Sequence, residues 1–488
     1  MVKARSTSDS AAITSQSPGR AQVLWAPRAW IADRWHDAVL LRVDADGYWA
    51  QIQTKLDAPT DATVLDGPAI PGLVNAHSHA FQRAFAGLAE RRNVDQDDFW
   101  TWRDRMYRVA LRITPEQQRA IAAQLFLELI RGGYTQVCEF HYLHNDSDGS
   151  VYAQDRLCMA RAIVAAAKDI GIGLTLLPAV YERAGFLQPI LREDQRRFRA
   201  NADEVLQMRD MLRSCLVDSE DSTPRALFRF GVALHSLRAV KSGAIEHLAA
   251  QTDGAPIHIH IAEQAQEVEE CLSATGLRPI ELLCRHAGLD QRWQLVHATH
   301  SSPAEIEAVA RSGAGVVLCP STEANLADGV TDVPAWLRHE VALSLGSDSH
   351  VTRSVVEELR LLEYMQRCTK GARCVAAAPQ QGQTSTAERL WSRMLQGGGR
   401  AAGYEHWGLQ VGARADLLVV DSAAPALLGV PASHLLDALV FSSPVRPFRD
   451  TLIAGRWITR NHQSPIAATI GKQFTQAMQQ IWQDAQWA

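Results

Sequence analysis

The residues that could do chemistry fall into a few short runs of histidine and acid. Asn75-Ala76-His77-Ser78-His79 sets two imidazoles two residues apart, and on an extended chain such side chains point to the same side, so both can face one point as a chelate. Three further runs carry the same residue types: Ile257-His258-Ile259-His260-Ile261-Ala262-Glu263, His297-Ala298-Thr299-His300, and Gly346-Ser347-Asp348-Ser349-His350. Several imidazoles with a carboxylate suit Zn2+, held by three or four protein ligands with one position left for water; Fe2+ fits the same donors. Water on such an ion has a pKa of about 7, and a carboxylate beside it can take the proton. His258 sits one inward layer deeper than His260 and is expected to fill core, while His300 falls past its strand and is expected to cap a loop.

These runs end predicted strands. From about residue 69 to 350, short apolar runs alternate with helical patterns, and eight strands are predicted: Ala69–Ala76, Tyr134–Phe140, Gly171–Val180, Phe228–His235, Ala255–Ala262, Trp293–Thr299, Gly313–Ser321 and Val341–Gly346. Between them, Pro115–Arg131 and Pro303–Ser312 repeat apolar residues at helical spacing, each preceded by an N-cap residue and opened by Pro. Near-continuous apolar strands alternating with helices indicate an α/β fold, a closed parallel (β/α)8 TIM-like barrel whose strand ends share one mouth. A doubly wound open sheet is the alternative, but no GxGxxG follows an early strand, so it loses its best support. No Lys ends the fourth strand, where a bridging carbamate would stand in a binuclear relative, which favours one metal per chain.

The flanks, residues 21–68 and 403–463, carry short strand-like pieces and turns and are expected to form one small β-sandwich domain beside a barrel spanning 69–402. Residues 464–488 are expected to hold an amphipathic C-terminal helix, with Ile470, Phe474, Met478, Ile481 and Trp482 near helical spacing. Residues 1–20, rich in Ser, Thr and Ala, read as a disordered leader.

Composition sets the outer limits. The 488 residues carry 49 Lys+Arg against 54 Asp+Glu, a net charge of -5, so no basic field attracts nucleic acid. Every apolar run is broken well short of the roughly 18 residues that a membrane helix needs. Eight cysteines lie scattered with no CxxC pair, which reads as reduced thiols in a cytoplasmic chain. The partner expected is a small-molecule substrate, with no nucleic acid and no membrane; a homodimer is compatible with the sequence.

Taken together, Pro71–His79, the His260 and Glu263 pair, His297 and Asp348 resemble the mononuclear deaminase branch of the amidohydrolase superfamily, and Gly412–Asp421 resembles its flanking return strand. The likeness covers nearly the whole chain from residue 21. Within that branch, His79–Gly87, Trp102-Arg103-Asp104, Glu139–His144, His235–Arg238 and Cys319–Leu326 are similar to the formimidoylglutamate deiminase family. The resemblance implies His77, His79, His260 and Asp348 on one metal, Zn2+ foremost, with Glu263, His297 and Asp348 catalytic. It implies substrate contacts from Gln82, Arg103, Tyr142, His235 and Arg238. The implied reaction is metal-dependent hydrolytic deimination of N-formimidoyl-L-glutamate to N-formyl-L-glutamate and ammonia, a step of histidine degradation.

That substrate carries two carboxylates, and Arg grips a carboxylate through two parallel charge-assisted hydrogen bonds. Arg103 and Arg238 are both expected just beyond strand ends. Two other readings compete. One is a deaminase of a purine, pyrimidine or triazine ring using the same metal, which requires an aromatic-lined cavity in place of the arginines. The other is a metal-free scaffold that keeps only the barrel, against which the intact set of donors argues.

Overall fold

The computed structural model describes residues 21–91, 98–217, 225–442 and 444–483. The leader expected over 1–20 and the last residues of the expected C-terminal helix lie outside the described residues.

Eight parallel strands form the barrel: β1 (Leu73–Ser78), β2 (Tyr134–His141), β3 (Gly173–Val180), β4 (Val232–Ser236), β5 (Ile257–Ile261), β6 (Trp293–His297), β7 (Gly315–Leu318) and β8 (Ala342–Leu345). Closure is seen at two seams, where Leu345 of β8 registers with Asn75 of β1 and Ala233 and Leu234 of β4 register with Ala179 and Val180 of β3. Apolar side chains such as Leu174, Leu234, Ile259, Leu295 and Val316 are fully buried, because a sheet with helices outside and packed side chains inside meets no water on either face.

Three strand expectations are corrected, one of them Gly313–Ser321, whose strand ends at Leu318 because Pro320 and Ser321 open the helix Pro320–Asn325. Ala69–Ala76 is not one strand: Ala69–Ile70 pairs in the flanking sheet, and β1 begins only at Leu73. Pro71 offers no N–H to a ladder, and a Cβ at Gly72 would lie 2.3 Å from the Thr135 side chain, so the chain turns from one sheet into the other there. Phe228–His235 is also interrupted. Gly231 separates a short piece, Phe228–Phe230, from β4, and a Cβ there would meet the Pro256 carbonyl oxygen at 2.4 Å.

The helices start where their caps say. Thr114 and Ser302 accept hydrogen bonds from the backbone N–H of Gln117 and Glu305, and in both cases the Gln or Glu side chain reaches back to the cap, satisfying two otherwise orphaned donors.

A second sheet takes its strands from both chain ends. Gln22–Ile31, Arg34–Val43, Trp49–Gln53, Thr63–Val64 and Ala69–Ile70 come from the start, and Leu417–Val420, Phe448–Ile453 and Arg456–Thr459 from the end. Its two halves join where Leu418 pairs with Ile70. Between those last strands the chain forms a helix, Leu435–Phe441, whose Leu436, Leu439 and Val440 are buried. Buried Arg414 ties this sheet to the barrel floor, donating to Gln136 at 2.7 Å, to the Thr135 carbonyl at 3.0 Å and to Asp416 at 2.7 Å. The C-terminal helix, Ala467–Trp482, packs on helix Pro115–Arg131, and Trp482 Nε1 donates to the Ala84 carbonyl at 3.2 Å, bracing the turn after β1.

Candidate active site

The mouth of the barrel is built from the ends of β1, β5, β6 and β8. His77 and His79 leave β1, His260 leaves β5, and their Nε2 atoms lie 3.1, 3.3 and 3.0 Å from one another. Asp348, just past β8, holds Oδ1 3.5 Å from His77 Nε2 and 3.4 Å from His79 Nε2. The β1–β8 seam sets this register: Asp348 N–H donates to the His77 carbonyl, His79 N–H to the Asp348 carbonyl, and the Asn75 amide exchanges hydrogen bonds with Ser347. Gly346 lets the strands approach, since a Cβ there would lie 2.6 Å from the His77 Cβ and 2.8 Å from Cys319 Sγ.

The tautomers follow from the far side of each ring. His79 Nδ1–H donates to the Phe140 carbonyl at 2.9 Å and His260 Nδ1–H to the His235 carbonyl at 2.7 Å, which leaves Nε2 of each as a bare acceptor. Burial, with the other imidazoles adding to it, holds His77 and His260 well below the ordinary imidazole range. Burial lowers His79 too, against the pull of Asp348 and the Phe140 carbonyl. Three neutral rings thus converge their Nε2 atoms on one point, and for His79 and His260 the Nδ1 hydrogen bonds leave that nitrogen a bare acceptor. Donors about 2.1 Å from one ion, at right to tetrahedral angles, stand about 3.0–3.4 Å apart. The three nitrogen spacings fall in that range and the carboxylate oxygen stands at its upper edge, 3.4 and 3.5 Å from two of the nitrogens, so the donor set fits a divalent metal.

Beside these donors lies an acid/base group. His297 Nε2 is 3.6 Å from Asp348 Oδ2 and 3.7 Å from Glu263 Oε1. On its other side, His297 Nδ1 is 3.4 Å from Glu323 Oε1, which also accepts the Cys319 N–H at 2.9 Å. Burial alone would depress His297, but Glu263 foremost, then Cys319 and Glu323, raise it well above its ordinary value. Burial pushes the Glu263 carboxyl up to about 7 against the pull of His297 and Arg238, which lets it hold or release a proton near neutrality.

The expected substrate contacts line one cavity with this group: Gln82, Arg103, Tyr142, His235 and Arg238 stand with His79, His260, Glu263, His297 and Asp348. Gln82, in the turn Ala80–Ala84, donates to Tyr142 Oη at 3.2 Å, and its buried Oε1 has no partner among the described residues. Arg238 lies two residues past β4, as its position predicts. Arg103 is a correction: it sits on helix Phe99–Ala110, between β1 and β2, rather than beyond a strand, and that helix brings it over the mouth. His258 and His300 behave as their positions predict, donating to the Ala401 carbonyl at 2.9 Å and the Asp328 carbonyl at 2.7 Å.

Sequence reasoning missed several partners. Trp100 carries both cations, with the Arg103 and Arg238 guanidinium carbons 4.5 and 5.5 Å from its ring centre. Glu267 lies 3.8 Å from Arg238 and accepts the Glu263 N–H at 3.1 Å. Glu139 accepts from Ser78 Oγ and the Ala80 N–H, both at 2.6 Å, fixing the backbone around His79. Helical spacing offered a signal for Glu267, four residues after Glu263, but Glu139 reads as one more polar residue in an apolar run.

Residues 69–458 match the model of the amidohydrolase family. The chain belongs to the amidohydrolase family. Among amidohydrolases it is 43% identical over 459 residues to formimidoylglutamate deiminase of Pseudomonas aeruginosa, covering 94% of this chain and 99% of that one. It is 27% identical over 402 residues to 5-methylthioadenosine/S-adenosylhomocysteine deaminase of Natronomonas pharaonis, covering 81% and 82% of the two chains. The crystal structure of an amidohydrolase from Brucella melitensis superposes with a TM-score of 0.88 at 37% identity, over 94% of this chain and 99% of that one. No helix among the described residues is long and apolar enough to cross a membrane.

Proposed function

We propose that this amidohydrolase hydrolyses N-formimidoyl-L-glutamate to N-formyl-L-glutamate and ammonia, with one Zn2+ held by His77, His79, His260 and Asp348. The observation that carries the reading is the cavity itself, which sets two guanidinium groups, partly buried Arg103 and buried Arg238, in one lining with the imidazole and carboxylate cluster. Neither guanidinium has a hydrogen bond to a described residue: Arg103 has Asp104 Oδ1 at 3.6 Å, Arg238 has Glu267 at 3.8 Å, and both lie over the Trp100 ring. A dianionic substrate would supply the acceptors they lack. The 43% identity to the Pseudomonas aeruginosa deiminase supports the same substrate.

A bound divalent ion would lower the pKa of a coordinated water so that hydroxide is available near neutral pH. The protein groups then divide the work. Arg103 and Arg238 hold the carboxylates. Gln82, Tyr142 and His235 orient the formimidoyl group over His297 and Asp348. Asp348 takes the proton of the attacking water, and His297 steadies the charge that develops on the new C–O bond. Glu263 delivers a proton to the amino nitrogen, which leaves as ammonia when its bond to carbon breaks. All eight cysteines are free, which agrees with a cytoplasmic enzyme.

Phe99, Trp102 and Tyr107 also line the cavity, and this favours the ring-deaminase reading as the alternative. One assay separates them: ammonia release from formimidoylglutamate against a panel of amino-substituted purines, pyrimidines and triazines. Turnover of formimidoylglutamate at least about a hundredfold faster than of every heterocycle is expected, since a neutral ring offers the two guanidinium groups no carboxylate to grip. A preferred heterocycle would overturn the reading.

A further inference from the structure

Behind Glu263 stands a second buried acid that the reaction above does not use. Asp328 lies in the turn after helix Pro320–Asn325, pinned by its own N–H to the Glu323 carbonyl at 2.9 Å and by its carbonyl to His300 Nε2 at 2.7 Å. Its Oδ1 accepts from the Gln264 side-chain amide, and its Oδ2 is buried with no partner among the described residues. Acid/base atoms of Glu263, His297 and Asp328 all lie within 4.8 Å of one another. Glu263 faces the cavity, and Asp328 does not.

Two carboxyl groups within 4.8 Å of each other, in a buried wall, repel as anions, which favours one of them as the neutral acid. Which one depends on the neighbours. Glu263 has two cationic side chains acting on it, His297 at 3.7 Å and Arg238 beyond. Asp328 is offered only the neutral amide of Gln264, and the groups around it are Glu263, Glu323 and Asp348 on the acidic side with His297 alone opposing them. An unpartnered buried oxygen is costly as an anion and is relieved by carrying hydrogen.

We propose that Asp328 is a positioning residue held in its neutral acid form, whose Oδ2–H donates to the Glu263 carboxylate and keeps that group ionised and aimed at the substrate nitrogen. Burial first, and the Glu263 charge second, push the Asp328 carboxyl well above its ordinary range, which agrees with a neutral acid there. Between turnovers the proton on Asp328 stays in place. Glu263 can then take up and give away a second one without turning away from the cavity. The kinetic part of this inference rests on the proposed role of Glu263 in deimination.

The test compares Asp328→Asn, whose amide donates as the neutral acid does, with Asp328→Leu, which has no donor. Both are measured for metal content, kcat and KM with formimidoylglutamate, and the parent and Asn variants for the infrared C=O stretch of a protonated carboxyl, with and without metal. Asp328→Asn should keep kcat within about threefold, whereas Asp328→Leu should lose about tenfold or more in kcat with KM little changed. The parent should show a protonated-acid band near neutral pH that the Asn variant lacks. Equal damage from Asn and Leu, Leu as active as the parent, or no difference band would each overturn the proposal. If Asp328→Leu does not fold, the Asn kinetics and the band decide. A parent that releases no ammonia from formimidoylglutamate would instead overturn the functional reading, and the infrared band would still decide the protonation of Asp328.

Discussion

Asp348 and His297 meet across the barrel mouth, Oδ2 to Nε2 at 3.6 Å, and both hold left-handed backbone, with φ of 48° and 72°. Such conformations cost non-glycine residues about 1–3 kcal/mol each and persist where surrounding structure enforces them. Here the enforcement is visible. The strand ladders end at β6 and β8, and the backbone turns sharply so that each side chain enters the cavity instead of following the alternation of its strand. The strain therefore fixes the distance between a carboxylate beside the clustered imidazoles and a protonatable ring.

Replacing His77 or His260 by Ala should remove both metal and turnover. Each substitution takes one of three nitrogens that face a common point at 3.0–3.3 Å, and the remaining donors cannot complete a stable site. Elemental analysis should return about one equivalent of zinc for the parent and far less for either variant. Two equivalents needed for full activity, or full activity after complete chelation, would contradict a single-metal centre.

Gly346→Ala should lower metal affinity with no ligand altered. The added methyl would sit 2.6 Å from the His77 Cβ and 2.8 Å from Cys319 Sγ, so the β1–β8 seam must open and His77 must move. A shift of some tenths of an ångström at one ligand should weaken metal binding about tenfold or more, read by competition with a chelator, while the circular dichroism spectrum stays that of the parent. Unchanged metal affinity would mean that the seam is more compliant than its hydrogen bonds suggest.

The barrel, the second sheet made from both chain ends, and the His and Asp runs were legible because period and residue type suffice for them. Apolar runs alternate with capped helical patterns, and His77 and His79 share a face by strand geometry alone. Strand limits were less legible. Pro71-Gly72 lies inside an apolar run, and only the packing of Thr135 against Gly72 shows that the chain changes sheets there. Sequence position alone puts Arg103 beyond a strand, since nothing local says that helix Phe99–Ala110 arches over the mouth. The contacts of Asp328 with Gln264, of Glu267 with Arg238 and of Glu323 with His297 join residues distant in sequence, so they appear only in three dimensions.

Arg238→Met should reduce kcat/KM for formimidoylglutamate about ten- to a hundredfold with metal content unchanged, the loss expected for one charge-assisted pair. Arg103→Met should act in the same direction. Glu267 gives Arg238→Met a second consequence: its carboxylate, 3.8 Å from the lost guanidinium, stays buried without that cation. A modest loss of stability should accompany the kinetic one, and Glu267→Gln in the same chain should restore stability but not catalysis. If both arginine variants keep parental kinetics, the substrate is not a dicarboxylate and the ring-deaminase reading gains.

Glu263→Gln should retain the metal and lose orders of magnitude in kcat, whereas Asp348→Asn should also weaken the metal. Glu263 lies three residues after His260 and lines the cavity without entering the cluster of Nε2 atoms, so its loss removes a proton carrier but no donor. Asp348 Oδ1 stands 3.4–3.5 Å from two of those nitrogens, so its amide costs the site a charge. Stability gives a separate check, made on metal-free protein. Burial pushes the Glu263 carboxyl from an ordinary value of 4.5 up to about 7, so the folded state favours the neutral acid. The sign follows from linkage: charging this group costs the fold nothing below the unfolded value, increasingly more as pH rises from there, and the full amount above the folded value. Glu263→Gln removes that cost. Its denaturation midpoint should match the parent near pH 4 and exceed it by a growing margin up to about pH 8. If instead Glu263 serves only to hold a neighbouring histidine in its tautomer, Gln would lower metal occupancy more than it slows the metal-saturated enzyme. Occupancy and kcat measured on one preparation separate the two roles.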